Sequence, residues 1–279
     1  MAFIMMQKER IRKPCASGTF YPGDREDLMA VLRSLDFIPD SEMEHKISPA
    51  AMIVPHAGYI YSGRTAMMAF RYLRNTNART FIIAGPDHYG TTNMVSIQSS
   101  GAWETPLGSA KINREVAAGI LKNSDNVVEY ELAHLSEHSI EVQIPFLQYM
   151  FGDNFTFVPL SLGTQTLESM MMLFRALNEI NEPYVLISSS DLDHYESDTV
   201  VREKDTELIK TVQSLDIDSF YRTLLLRGVS ACGYGSIALF MMLARARRLK
   251  TRLVHHTTSA ETSGDYSSAV GYLSMLAYS

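Results

Sequence analysis

The chain has 279 residues, 46 % of them apolar and 20 % charged, and a formal net charge of −6. That is the balance of a globular α/β protein with a sizeable core. It excludes the basic, phosphate-neutralising surface on which non-specific nucleic-acid binding depends. No apolar run nears the roughly 20 residues needed to span a bilayer.

In chain order, the opening segment MAFIMMQKERIRK lacks the small-residue cleavage site of a signal peptide. Two cysteines, Cys15 and Cys232, are too few for a disulfide framework, so a reducing cytoplasm is the expected setting. Pro39–Ser48 reads as a polar loop. Short β-rich runs recur at Ala51–Val54, Thr80–Ala84, Phe155–Leu160, Tyr184–Ser188, Arg252–His255 and Val270–Ala277, several of them apolar on both faces. Between them, helical periodicity marks Ser62–Leu73, Asn113–Leu121, Ser139–Met150, Leu167–Leu177, Val200–Val212 and Ser236–Arg248. The alternation predicts one α/β domain over residues 1–279: a largely central sheet flanked by helices in three layers.

In such sheets functional residues gather just past the carboxyl ends of strands. Pro55-His56-Ala57-Gly58-Tyr59 follows the first long strand and Gly85-Pro86-Asp87-His88-Tyr89-Gly90 the second. Ser190-Asp191-Leu192-Asp193-His194 follows Tyr184–Ser188, and Cys232-Gly233 precedes the helix from Ser236. A histidine at a strand end with a glycine close behind can face a crevice while the backbone turns away, through φ > 0 where needed. Two imidazoles and a thiolate form a set suited to iron, copper or zinc rather than magnesium or calcium. The helix after Cys232 is expected to lower its pKa. Cys232, His194 and Asp191 also satisfy the residue types of a nucleophilic triad.

His138, in Glu137-His138-Ser139-Ile140-Glu141, is a further pocket candidate, although acidic residues at a helix start explain that stretch equally well. His45, His134, His255 and His256 read as surface or strand residues. Asp265 reads either as a turn residue or as a group orienting a ligand histidine. Tyr59, Tyr89, Trp103 and Tyr234 are candidate pocket walls.

Taken together, these motifs resemble the Memo family nearly end to end. They begin with Gly18-Thr19-Phe20-Tyr21-Pro22-Gly23 and include Trp103-Glu104-Thr105-Pro106-Leu107-Gly108 and Val270-Gly271-Tyr272. The resemblance implies a LigB-like fold, the fold of class III extradiol dioxygenases, with a mononuclear metal pocket. It places the metal set on His56, His88 and Cys232, and puts Asp191 and His194 beside it; His138, read from its own context, is a further catalytic candidate. Fe(II) or Cu(I) is the implied ion. Cys232 stands where the dioxygenases carry a carboxylate, which sets this chain apart from their reaction, and Asp193 stands where animal relatives tend to carry a second cysteine. The implied functions are a metal-dependent redox or oxygen-using enzyme, or a binding protein using the same cleft. AMME-type and radical-SAM proteins are the implied partners, and a small molecule or peptide the implied ligand.

Overall fold

A computed structural model describes residues 10–37 and 47–279. The start of the chain, His45 and most of the Pro39–Ser48 stretch lie outside the described residues. Twelve strands form the sheet: β1 (Ile11–Arg12), β2 (Pro49–Val54), β3 (Thr80–Pro86), β4 (Val95–Ile97), β5 (Ala102–Thr105), β6 (Gly108–Ile112), β7 (Val127–Glu129), β8 (Thr156–Leu162), β9 (Tyr184–Ser189), β10 (His194–Glu196), β11 (Lys250–Thr258) and β12 (Ala269–Tyr278). The helices are α1 (Arg25–Leu35), α2 (Tyr59–Phe70), α3 (Arg114–Lys122), α4 (Leu132–Leu135), α5 (Ile144–Phe151), α6 (Leu167–Asn178), α7 (Asp198–Ser214), α8 (Ile217–Arg227), α9 (Tyr234–Ala246) and α10 (Ala260–Ser263).

The centre of the sheet runs β8-β3-β9-β2, all parallel, and β12 adds to β2 antiparallel. These strands are apolar on both faces because both faces are covered. Along β3, Ile82 and Ala84 enter one core with α3, α6, α7, α8 and α9, whereas Phe81 and Ile83 enter the other with α1, α2 and α5. The same alternation holds in β2, where Ala51 and Ile53 face one core and Met52 and Val54 the other. The period-two pattern thus produces the three layers. Among the described residues no helix is long and apolar enough to cross a membrane.

Parallel strands end at one edge. Here Val54, Pro86 and Ser189 end side by side, so His56, His88 and Asp191 emerge onto the same surface. The histidine-then-glycine expectation holds in part: Gly90 has φ +60°, but Gly58 has φ −54° and is simply the residue before α2.

Candidate functional site

His56, His88 and His138 each offer a ring nitrogen, and those atoms lie within 4.8 Å of one another. Two of the three rings are held from behind. The Ser189 hydroxyl donates to Ser139 O at 2.6 Å and accepts from Gln143 Nε2 at 2.9 Å. Its single proton being committed, it accepts from His56 Nδ1–H at 2.9 Å, which leaves a lone pair on His56 Nε2. His88 Nδ1 lies 3.0 Å from Glu137 Oε1; a carboxylate only accepts, so His88 Nε2 is likewise the free acceptor. His138 stacks between Phe20, with ring centroids 4.2 Å apart, and His88, at 4.7 Å.

Glu137 is the residue whose role sequence reasoning missed. It is buried, accepts the backbone N–H of both His88 and Ser139 at 2.8 Å, and stands 3.5 Å from His138 Nδ1. Its neighbour in the sequence, His138, drew attention because imidazoles mark sites. The carboxylate gives no such signal until the fold brings it beside His88.

Cys232 enters the site through His56, with Sγ 3.0 Å from His56 Nε2, and its sulfur also accepts the Asp191 N–H at 3.3 Å. The histidine cluster therefore takes in His138 beside the expected His56 and His88, with the thiol touching one of its members. Asp191 Oδ1 accepts the His56 N–H at 2.8 Å. The imidazole on Cys232 is His56 and not His194, whose Nδ1 has no hydrogen-bond partner among the described residues. The Cys232–His194–Asp191 triad is therefore not assembled.

Electrostatics follow burial. His56 is held well below the ordinary histidine range by burial and by the imidazoles of His138, His88 and His194. Burial brings His138 down to about 4. Burial also works against charge on His88, but the hydrogen bond and charge of Glu137 outweigh it and raise that pKa. The same contact lowers Glu137 to about 2 in spite of its burial. Asp191 is raised to about 6 by burial. The Cys232 thiol is pushed far up by burial and by Asp191, opposite to the lowering expected from the helix after it. Although α9 begins at Tyr234, with Gly233 as its cap, desolvation wins over the helix dipole.

The pocket encloses about 590 Å³ and is walled by Phe20, Tyr195 and Tyr272, with His194 and Asp191 also lining it. The expected wall residues lie elsewhere. Tyr59 is buried, donating to Val142 O at 2.7 Å; Trp103 is buried under Arg12; Tyr234 packs against Tyr221; and Tyr89 is exposed outside the lining. Tyr195, next to His194, has φ +64°, a strained value for an aromatic residue.

Other expectations resolve similarly. Asp265 Oδ1 accepts the N–H and hydroxyl of Ser267, so it is a turn residue. His255 and His256 lie on β11, as read. His134 does not fit its reading: it is fully buried in α4, edge-on to Trp103 at 5.5 Å. Glu141 stands in the first turn of the helical segment Glu141–Gln143 that runs into α5, as read, but its carboxylate is spent on a buried ion pair. It is buried, paired with Arg12 Nη1 at 2.5 Å, and accepts the Tyr21 hydroxyl and the N–H groups of Cys15 and Ala16.

Comparison with known proteins bears on the family. A family model described as Memo-like protein matches residues 12–276. A MEMO1 family protein of Thermoplasma volcanium is 47 % identical over 267 residues, covering 96 % of this chain and 98 % of the relative. One from Thermoplasma acidophilum is 43 % identical, covering 95 % of this chain and 98 % of its own length. Another, from Nitrosopumilus maritimus, is 36 % identical, covering 94 % and 98 % respectively. On a match of that extent, the chain belongs to the Memo family.

Proposed function

We propose that the chain holds one iron or copper ion at the strand-end pocket and uses it in a redox or oxygen-using reaction on a small molecule or peptide. The observation that carries this reading is the convergence of three imidazoles within 4.8 Å, two of them with the remote ring nitrogen already committed to Ser189 or Glu137. Such backing fixes the tautomer and raises the basicity of a ligating histidine. A set of imidazoles suits iron, copper, zinc or nickel, and a thiolate beside it shifts the preference toward softer ions.

His56 and His88 would hold the ion, with His138 or Cys232 completing the set. When bound, the ion would supply one-electron chemistry or polarise an oxygen atom of the substrate. The remaining roles belong to the chain. His194, lining the pocket with its backbone N–H tied to Ser230 Oγ at 2.8 Å, holds or moves a proton. Asp191 fixes the His56 backbone and balances charge. Phe20, Tyr195 and Tyr272 exclude water from one side of the ligand.

The test is element-resolved analysis of anaerobically purified protein. Wild type should carry about one equivalent of iron or copper, and His56→Ala none. His138→Ala and Cys232→Ser identify the third ligand. Unchanged metal in both His56→Ala and Cys232→Ser sinks the reading.

A second reading draws on the aromatic wall, since Tyr195 is 78 % exposed at the pocket. Here the chain is a cytoplasmic binding protein that takes a small molecule or peptide in the same cleft and works beside AMME-type and radical-SAM proteins. A stable complex with a radical-SAM protein, formed by metal-free chain, would favour it.

A further inference from the structure

Outside the pocket lining lies a second polar cluster that the ligand set does not use. Asp205, in α7, is fully buried. Its Oδ1 accepts the Asp193 N–H at 3.1 Å, and its Oδ2 meets His256 Nε2, on β11, at 2.8 Å. Gly271 of β12 closes the remaining side: a Cβ there would lie 1.9 Å from Asp205 Oδ2. Gly271 also grips the same segment, donating its N–H to Asp193 O at 2.9 Å and accepting the Leu192 N–H at 2.8 Å. The stretch held in this way, Leu192 and Asp193, carries Asp191 on one side and His194 on the other.

Asp193 passes the constraint onward. Its Oδ1 accepts the N–H of Ser230 at 2.8 Å and the hydroxyl at 3.0 Å. Ser230 Oγ in turn accepts the His194 N–H at 2.8 Å, and Ser230 stands two residues before Cys232. The other Asp193 oxygen lies 3.3 Å from Lys204 Nζ, which also meets Glu196 at 2.8 Å. Burying two neighbouring carboxylates is costly, and apolar residues of similar size would pack the space at least as stably. What a carboxylate adds is a pair of acceptors at fixed angles, and here one of the Asp205 pair is spent on a backbone amide of the pocket segment and the other on His256.

We propose that Asp205 and His256 are positioning residues, which act through Asp193 and Ser230 to set where His194 and Cys232 stand in the pocket. The metal arm of the test rests on the metal reading above; the thiol arm does not.

The experiment compares wild type with Asp205→Asn, Asp205→Ala and Gly271→Ala. The first readout is the rate at which iodoacetamide alkylates Cys232 in metal-free full-length protein, followed by peptide mapping so that Cys15 is scored separately. The second is the Kd for Fe(II) or Cu(I). Asp205→Asn keeps the acceptor for Asp193 and, once His256 takes the Nδ1–H tautomer, donates an N–H to His256 Nε2, so it should stay within about twofold of wild type. Asp205→Ala and Gly271→Ala should speed alkylation about fivefold or more and weaken metal binding about 10–100-fold, the usual cost of losing a residue that orients ligands. Alkylation at the wild-type rate in Asp205→Ala, with only the thermal midpoint lowered, overturns the proposal and leaves the cluster a packing feature. Should Asp205→Ala fail to fold, Gly271→Ala decides on the same readout, since it displaces the carboxylate while removing no polar group. Wild type that binds neither ion overturns the metal reading alone, and the alkylation contrast still decides the positioning role.

Discussion

His134 has both ring nitrogens buried and without a hydrogen-bond partner among the described residues, and burial lowers its pKa to about 3. The sign of the consequence is fixed. Below pH about 6.5 the unfolded chain takes up a proton on this imidazole that the native chain refuses, so native stability falls as pH drops toward 3. One such proton corresponds to a slope of about 1.4 kcal/mol per pH unit. His138, lowered to about 4, and His56 act in the same direction. Glu137 joins them only below its unfolded value, its contribution being lost as pH falls from about 4.5 through 2. Replacing His134 by Leu should therefore make the dependence of urea stability on pH shallower by about one proton between pH 6 and 4. An unchanged slope would show that His134 is protonated in the folded chain. A lone histidine in a leucine-rich turn carries no mark of this burial in the sequence; the mark is the Trp103 ring beside it, supplied by a strand about thirty residues earlier.

The shortest strand, β1, pairs with β5 at one edge of the sheet and carries one side chain, Arg12, that ties it to the loop beyond. Arg12 donates to His134 O at 2.6 Å, Glu137 O at 2.9 Å and the Glu141 carboxylate, and its guanidinium lies 4.1 Å from the centre of the Trp103 ring. The segment bearing Glu137 and His138 is held in place by this clamp. Removing one partner of a buried pair leaves the other charged and dry, so Arg12→Ala should cost about 3–5 kcal/mol in urea unfolding. Lys13→Ala, which breaks only the exposed pair with Glu104, should cost under about 1 kcal/mol. Equal costs would contradict the clamp. All six long strands fall within a few residues of the runs read from apolar pattern alone, the central ones because both faces are buried and β11, largely half-exposed, because its residues are β-formers. The helices α1 and α8 escaped although each carries an apolar stripe at i, i+3, i+4 and i+7: Leu28, Val31, Leu32 and Leu35 in α1, and Ile217, Phe220, Tyr221 and Leu224 in α8. The periodic signal was present in both and went unread. The short strands β4 to β7 and β10 have three to five residues each, too few to display a period.

At the scale of the whole molecule, the site exists only where the chain is folded end to end. His56 follows β2, His88 follows β3, His138 precedes α5 and Cys232 precedes α9, so no local fragment carries the set. Strand-end placement made His56 and His88 legible from sequence, whereas Cys232, in the loop between α8 and α9, was legible only as a thiol just before a helix. The contact of Cys232 with His56 in place of His194 was not, because it depends on which loops cross over the sheet edge. An ion that needs the assembled site binds the native chain and not the unfolded one, so it should stabilise by about 2.7 kcal/mol at a hundredfold excess over Kd. The gain should vanish in His56→Ala and in His88→Ala, and it should grow with pH, because the ion must displace a proton from His88, whose pKa is raised, and from Cys232 as well if the thiol is a ligand, so that Cys232→Ser would flatten the dependence. Thermal melts of wild type and all three variants with added Fe(II) or Cu(I), at pH 6 and pH 8, measure both effects. An equal rise in His56→Ala would place the ion elsewhere. The same pH dependence in Cys232→Ser as in wild type would leave the thiol protonated and assign the third ligand to His138, whose lowered pKa already presents a neutral ring at both values.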